Sequence, residues 1–324
     1  MNLSIVIPTW NAWDLLEPTL KALQSALAPL AASFEVLVVD DGGSDETAQK
    51  VRERYPEVRL IRRSENGGFS AACNTGIRRA RGEWVLLLNN DMRPEPSALA
   101  DLMTFADTLP ADVFAVRPRI VRGVLLSDED YRHMAMQPRL RFGMLRLQLV
   151  CMHEETSHKK AFPVCSGGAG LFRRKMLEEL HGLDEIYSPY YWEDVDLSWR
   201  ALSRGWYILY APEAVFVHEQ EGSIKRSQSP ARVRRIAQRN AYLFHWLNLQ
   251  DWRWLIAHAA YMPLHLLAAL LRGHGWHLRG WLDALLYWRE VRHGRRARQL
   301  TRRQSDRDIQ GHYVWGHVVR VWQR

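Results

Sequence analysis

The chain has 324 residues and a hydrophobic fraction of 47%, enough for a full core in one large domain or two smaller ones. Three widely spaced cysteines, an odd count, argue against a disulfide framework and for a reducing compartment. The net charge of +8 is uneven: from Arg226 onward there are 18 Arg, no Lys and five acids, a balance of +13 that leaves −5 on the first 225 residues, and eight of the 14 Trp lie in that same stretch. A basic, Trp-rich segment on a mildly acidic body points to an anionic surface as partner, a membrane before nucleic acid, because no nucleic-acid-reading module is visible.

Leu3 to Ile7 is a short apolar run that reads as a strand. No basic segment or cleavage site precedes it, so no signal peptide is expected. Pro8-Thr9-Trp10-Asn11 then turns the chain, since Pro cannot continue a central strand and Asn suits a turn or cap. Leu16, Leu20, Leu23 and Leu27 recur at helical spacing in a helix expected over 14–30. A second strand, Phe34 to Val39, ends in Asp40-Asp41-Gly42-Gly43-Ser44-Asp45, where Ser44 or Asp45 can cap a helix over 46–55. A third strand over 58–61, the turn Asn66-Gly67-Gly68-Phe69 and a helix over 70–81 follow. Trp84 to Leu88 has the length and character of a buried parallel strand, and it stops at Asn89-Asn90-Asp91. Ligands of open α/β sheets bind just beyond the carboxyl ends of the strands. Two acidic strand ends on one edge therefore suit a nucleotide and its metal, although the same acids also serve as helix caps and turn formers.

A helix is expected over 94–107 and a strand with a Pro break over 113–121. From Arg122 to Pro163 the pattern is poor and reads as a mobile loop region, a covering flap. Cys151, His153, His158 and Cys165 fall there or just after it, in no standard zinc spacing. Ser166-Gly167-Gly168-Ala169-Gly170 permits close approach of a ligand or another backbone, but lacks the lysine of a phosphate loop. A short helix over 175–180 leads to a dense cluster, Tyr190-Tyr191-Trp192-Glu193-Asp194-Val195-Asp196. Three acids in four positions are costly to gather without a cation or a shared proton. At the start of a helix expected over 194–204 they are equally good capping acids. Rings beside an acid also suit the face of a sugar. Strands over 206–210 and 214–217 end at His218, whose neutral imidazole can join Asp91 on a metal.

Taken in order, Ile5-Val6-Ile7-Pro8-Thr9-Trp10-Asn11, Val38-Val39-Asp40-Asp41-Gly42-Gly43-Ser44-Asp45, Asn66-Gly67-Gly68-Phe69 and Leu88-Asn89-Asn90-Asp91 resemble the family-2 glycosyltransferases. The match continues through Gly182-Leu183-Asp184-Glu185, Trp192-Glu193-Asp194-Val195-Asp196-Leu197 and Val217-His218, over roughly residues 3–223. Within the family the chain looks most like bacterial rhamnosyl- and related transferases of cell-surface polysaccharide synthesis. The resemblance implies a glycosyltransferase-A fold, that is an α/β, Rossmann-like, mainly parallel sheet with flanking helices, to which a C-terminal helical extension is added here. It implies an inverting transfer from a nucleotide-diphosphate sugar, of UDP or dTDP type, to a glycan or lipid-linked acceptor, with Mg²⁺ or Mn²⁺ as cofactor. Pro8, Thr9, Asn11, Asp40, Asp41, Asn66, Asn89 and Asn90 would line the nucleotide side. Asp91 and His218 would hold the metal, with Asn89 where the family usually has its first acid. Asp194 would be the general base with Glu193 beside it, and Trp192, Gly167 and Gly168 would face the sugar or acceptor. A nucleotide-sugar-binding protein without transfer activity and a sugar nucleotidyltransferase are the alternatives.

Residues 1–225 are thus expected to form the catalytic domain, with a nucleotide half (1–112) and an acceptor half (113–225). The rest is a basic, Trp-rich helical region expected to associate with membranes. One helix is expected over 233–249. Leu255 to Leu271 is apolar but at the lower length limit for spanning a bilayer. Trp276, Leu278, Trp281, Leu282, Leu285 and Leu286 read as an interfacial amphipathic helix, and Arg292 to Arg303 as its contact with anionic headgroups. An ordinary helical subdomain packed on the core is the other reading. The expected location is cytoplasmic, peripheral on the inner membrane.

Overall fold

The computed structural model describes residues 1–122, 134–151, 168–218 and 228–311. Strand and helix alternate through β1 (Leu3–Thr9), α1 (Trp13–Leu27), β2 (Phe34–Asp40), α2 (Thr47–Arg54), β3 (Arg59–Arg62), α3 (Phe69–Ile77) and β4 (Trp84–Leu88). β1 pairs in parallel with β2 on one side and β4 on the other, and β3 continues the parallel run beyond β2. Both faces of these strands are covered, which is why their sequences are apolar throughout rather than at alternate positions. Val6, Leu37, Val39, Val85 and Leu87 enter one core cluster, whereas Ile5, Ile7, Val36, Val38, Leu86 and Leu88 enter another. Helix α3 ends at Ile77, short of the expected 81. There the N–H groups of Arg79 and Ala80 bond the carbonyls of Gly76 and Ile77, three residues back, and the chain tightens out of the α-helix.

β5 (Met92–Pro94), α4 (Ala98–Ala106) and β6 (Val113–Arg122) come next. The helix expected from 94 starts later because Met92–Pro94 pairs with a strand. The region read as an irregular flap contains a hairpin, β7 (Met134–Arg141) and β8 (Met144–Cys151). Its two-residue turn, Phe142-Gly143, has both φ angles positive (51° and 69°), the geometry that matches the twist of paired strands. β9 (Ala169–Arg173) runs antiparallel between β4 and β6. α5 (Arg174–Glu179), a 3-10 turn (Glu185–Tyr187) and α6 (Glu193–Ser203) lead to β10 (Tyr207–His218). β10 is one strand where two were expected; the break appears as an irregular register between Ala211 and Val215 against β6. The full sheet is β3-β2-β1-β4-β9-β6-β10-β5, mainly parallel, with β9 and β5 antiparallel to their neighbours.

Five helices follow among the described residues: α7 (Pro230–Asn248), α8 (Trp252–Leu271), α9 (Gly275–Leu285), α10 (Trp288–Thr301) and α11 (Asp306–Gly311). Tyr242, Leu243, Phe244, Leu247, Trp254, Ala284 and Val291 belong to the same core cluster as Val6 and Trp199. α8 joins this core through few side chains. It is long and apolar enough to cross a bilayer, yet only 17% of its most apolar stretch is buried. Trp254, His258 and Ala269 face inward, while Trp252, Ile256, Leu264, Leu267, Leu270 and Leu271 are exposed.

Candidate functional site

β2 and β3 add to one side of β1 and β4 to the other, so the carboxyl ends of β1 and β4 flank the switch point of the sheet. Their ladder extends only to Val6↔Leu87. Beyond it the strands part, and Pro8 lies in the parted segment, where its missing N–H takes no bond from β4. Thr9 is buried at the end of β1 and its hydroxyl accepts a hydrogen bond from Asn90 Nδ2 (3.1 Å). Asn90 is tied from behind as well, because Thr19 Oγ1 donates to its carbonyl (2.8 Å). Asn11, in the left-handed region (φ 46°), accepts the N–H groups of Ser44 (2.7 Å) and Asp45 (3.2 Å) and so pins the loop after β2.

Asp40, the last residue of β2, and Asp41 after it are buried. Asp40 accepts the N–H of Gly43 (2.9 Å) and pairs with Arg62 (3.3 Å). Asp41 accepts the N–H groups of Gly67 (3.2 Å) and Gly68 (2.8 Å) and pairs with Arg63 (2.6 Å). Asn66 Oδ1 accepts a third bond from the turn, the N–H of Gly68 (3.0 Å). Gly68 has φ +88°, and a Cβ there would lie 2.9 Å from Pro189 Cα. The turn therefore presses against the loop before α6, and Ser188 Oγ donates to Gly67 O (3.1 Å). The loop after β2, the turn at Asn66–Gly68 and the loop before α6 are joined through this contact.

Asp91 is buried beyond β4. The antiparallel pair β5–β10 sets His218 opposite Met92, which brings His218 Nε2 within 3.3 Å of Asp91 Oδ2 across 127 positions of sequence. Asp91 Oδ1 is buried with no hydrogen-bond partner among the described residues. A buried, unpaired carboxylate oxygen beside an imidazole has the donor chemistry of a divalent-cation site. Among the described residues no three His, Cys, Asp or Glu side chains converge here, so an ion would need oxygen ligands from outside the protein. Asn89 donates its N–H to Gly168 O (2.7 Å), and Gly168, at φ +122°, lies against Met92. Gly167, with His153, His158 and Cys165, falls outside the described residues.

The second acidic group opens α6. Tyr191 and Trp192 precede it at φ 72° and 77°, a left-handed pair of large side chains costing about 1–3 kcal/mol each. Helix α7 holds them: Asn240 Nδ2 donates to the carbonyls of Tyr187 (2.6 Å), Tyr190 (2.9 Å) and Tyr191 (2.9 Å), and the Trp192 ring packs on Phe244 (5.1 Å between centroids). Asp194 Oδ1 accepts the N–H of Val195 (2.8 Å) at the positive end of the helix. Glu193 is buried, with Oε2 lacking a hydrogen-bond partner among the described residues. Burial first, then the charge of Asp194, pushes its carboxyl well above the usual carboxylate range. Trp192 also lines a cavity of about 290 Å³ with the β7–β8 hairpin, α7, His265 and His277. A cavity of about 350 Å³ among the C-terminal helices, around Asp251, Arg302 and Asp306, touches none of the motif residues.

The sequence profile described as "Glycosyl transferase family 2" matches residues 4–181, more than half of the chain. The protein belongs to this family. It is 28% identical to the N-acetylglucosaminyl-diphospho-decaprenol L-rhamnosyltransferase of Mycobacterium tuberculosis, over 76% of this chain and 88% of that one. Among solved structures, the mannosyltransferase PcManGT of Pyrobaculum calidifontis, in complex with GDP-Man and Mn²⁺, superposes with a TM-score of 0.56 at 19% identity, covering 88% of this chain and 87% of that one. GalNAc-T7 with UDP, GalNAc and Mn²⁺ gives 0.61 at 16% identity, covering 78% and 49%. The fold is that of the α/β glycosyltransferase-A enzymes, with C-terminal helices added, and the chain is a glycosyltransferase.

Sequence reasoning about this glycosyltransferase missed Asn240 and the inward arginines. The run Arg292 to Arg303, expected to face headgroups, is divided by its helix. Arg295 Nη1 donates to the carbonyls of Trp246 (2.9 Å) and Leu249 (2.6 Å), Arg298 reaches Asp184 (2.6 Å) and Arg302 reaches Asp306 (2.5 Å), while Arg292 and Arg296 are exposed. The signal was present: Val291, Arg295 and Arg298 recur at the spacing of one helix face, with Arg302 just past the helix end.

Proposed function

We propose that this glycosyltransferase transfers a sugar, with inversion, from a UDP- or dTDP-type sugar to a glycan or lipid-linked acceptor in cell-surface polysaccharide synthesis. The observation that carries the reading is Asp91 Oδ1, buried beside His218 at the switch point of the sheet and without a hydrogen-bond partner among the described residues. In this reading Pro8, Thr9, Asn11, Asp40, Asp41, Asn66, Asn89 and Asn90 line the nucleotide side. Asp91 and His218 would hold Mg²⁺ or Mn²⁺, which when bound neutralises charge gathering on the leaving diphosphate. Asp194 takes the proton from the acceptor hydroxyl as that oxygen attacks C1, and the C1–O bond to the diphosphate breaks with its electron pair on the departing oxygen. A single displacement by the acceptor needs no protein nucleophile and inverts the anomeric carbon. Glu193, favoured in its protonated form, donates a hydrogen bond to orient the acceptor. Trp192 and the cavity beside it receive the acceptor, with Gly168 at the sugar side.

The region 226–324 is the membrane-associating part, peripheral on the cytoplasmic face. Support comes from the exposed apolar side of α8, bounded by exposed Arg253 and Arg272, a combination suited to an anionic bilayer surface. The rhamnosyltransferase relative, whose name carries a decaprenol-linked substrate, agrees with a lipid-linked acceptor.

The deciding experiment is thermal melting with UDP, dTDP, GDP and CDP, with and without Mn²⁺. A ligand at 100 times its Kd stabilises by about 2.7 kcal/mol. A Mn²⁺-dependent rise with UDP or dTDP, abolished by Asp91→Ala, is expected. A nucleotide response that ignores the metal and survives Asp91→Ala would remove the metal from the reading.

A further inference from the structure

Asp196 lies two residues after Asp194 on α6, about 200° around the helix, so it grips the back of the turn whose front carries Asp194. It is fully buried and is a hub. Tyr187 OH (2.8 Å), Asn248 Nδ2 (2.8 Å) and Arg200 Nε (2.7 Å) all donate to it. Arg200 spends its remaining nitrogens on the carbonyls of Leu180 (2.7 Å) and Gly182 (2.8 Å). The last donor comes from 102 residues away: Arg298 on α10, which bonds Asp196 and Asn248 through Nη1 and Asp184 through Nη2. One guanidinium thereby ties the first turn of α6 to the loop that enters it and to the end of α7.

We propose that Arg298 is a positioning residue for transfer: by bridging Asp196 and Asp184 it sets the rotation of the first turn of α6 and hence the direction in which Asp194 meets the acceptor hydroxyl. This rests on the reading of Asp194 as the base. Arg298 itself touches no substrate. Its planar fork is the relevant chemistry, since a point charge cannot hold two carboxylates and an amide in one plane.

The test uses the full-length chain and whichever UDP- or dTDP-sugar it turns over, starting from UDP-N-acetylglucosamine and dTDP-L-rhamnose. Arg298→Lys keeps the charge and loses the fork. The expected result is a fall in kcat per folded molecule of about tenfold or more, with donor KM and the nucleotide-dependent melting shift within about twofold of the parent. A melting temperature that falls while kcat per folded molecule stays within about twofold would make Arg298 merely structural and overturn the proposal. Should Arg298→Lys fold poorly, Arg298→Gln, which leaves Asp196 its pair with Arg200, is read by the same split. Asp194→Asn is measured alongside. If it retains turnover, the base reading fails and this inference with it; if it loses turnover while Arg298→Lys does not, only the positioning role fails.

Discussion

Glu193 carries a proton question that a melting curve can answer. Its carboxyl is buried and stands next to Asp194, and both press its pKa well above 4.5. The folded chain therefore keeps a proton that the unfolded chain has already lost. The stability tied to that proton is fully present below about pH 4.5 and is lost as pH rises toward the folded value. Glu193→Gln keeps the shape and removes the titration. The variant's melting temperature is thus expected to gain on the parent's between about pH 5 and pH 8, without nucleotide or metal. A constant gap over that window would mean that Glu193 is ionised in the folded chain. Asp196 is the opposite case. Burial alone would raise it, yet Arg298 and Arg200 hold it at about 2, so its contribution is present above the unfolded value and lost as pH falls toward 2. Removing its charge strands Arg298, and breaking a buried pair in this way costs about 3–5 kcal/mol. Asp196→Asn is accordingly expected to lower stability at neutral pH far more than Glu193→Gln, read by denaturant melts of the two variants side by side.

Among the elements, strands β1, β2 and β4 were the most legible, because strands buried on both faces are continuous apolar runs whose polar ends announce the sheet edge. The β7–β8 hairpin was not: its turn is Phe-Gly rather than Asn-Gly, and Pro138 interrupts the run. α8 was legible as an apolar helix but not in its exposure, which depends on what α9 and α7 leave uncovered. That exposure carries a prediction. Leu267 and Leu271 are 52% and 78% exposed, so Leu267→Glu/Leu271→Glu loses little packing and is expected to change stability by less than about 1 kcal/mol. Co-flotation of the full chain with phosphatidylglycerol-containing vesicles is expected to be lost. Flotation equal to that of the parent would show that α8 is not the surface that meets lipid.

At the scale of the whole molecule, Asp91 and His218 could be paired from the sequence, whereas Arg298 and Asp196 were hidden from it by 102 positions of chain. Asp91 and His218 meet only because β10 crosses to β5, and Arg298 reaches Asp196 only because α10 packs on α7, whose Asn248 bonds both. Motif residues could be named from the sequence; what holds them could not. The composition shift near residue 226 marks a change of surface, whereas the core continues across it. Tyr242, Leu243, Phe244 and Leu247 of α7 are fully or almost fully buried in the cluster that contains Leu197 and Trp199. A chain cut after Ser229 loses these four side chains, each contributing about 1.5–3 kcal/mol by burial, and leaves the left-handed Tyr191–Trp192 pair without Asn240. At about 2–4 °C per kcal/mol for a chain of this size, its melting is expected to fall by more than about 10 °C or to lose cooperativity, as read by calorimetry. Cooperative melting of residues 1–229 at the full-length temperature would instead make the C-terminal helices an appendage, and the support that α7 and α10 give to the acidic turn would have to be abandoned with it.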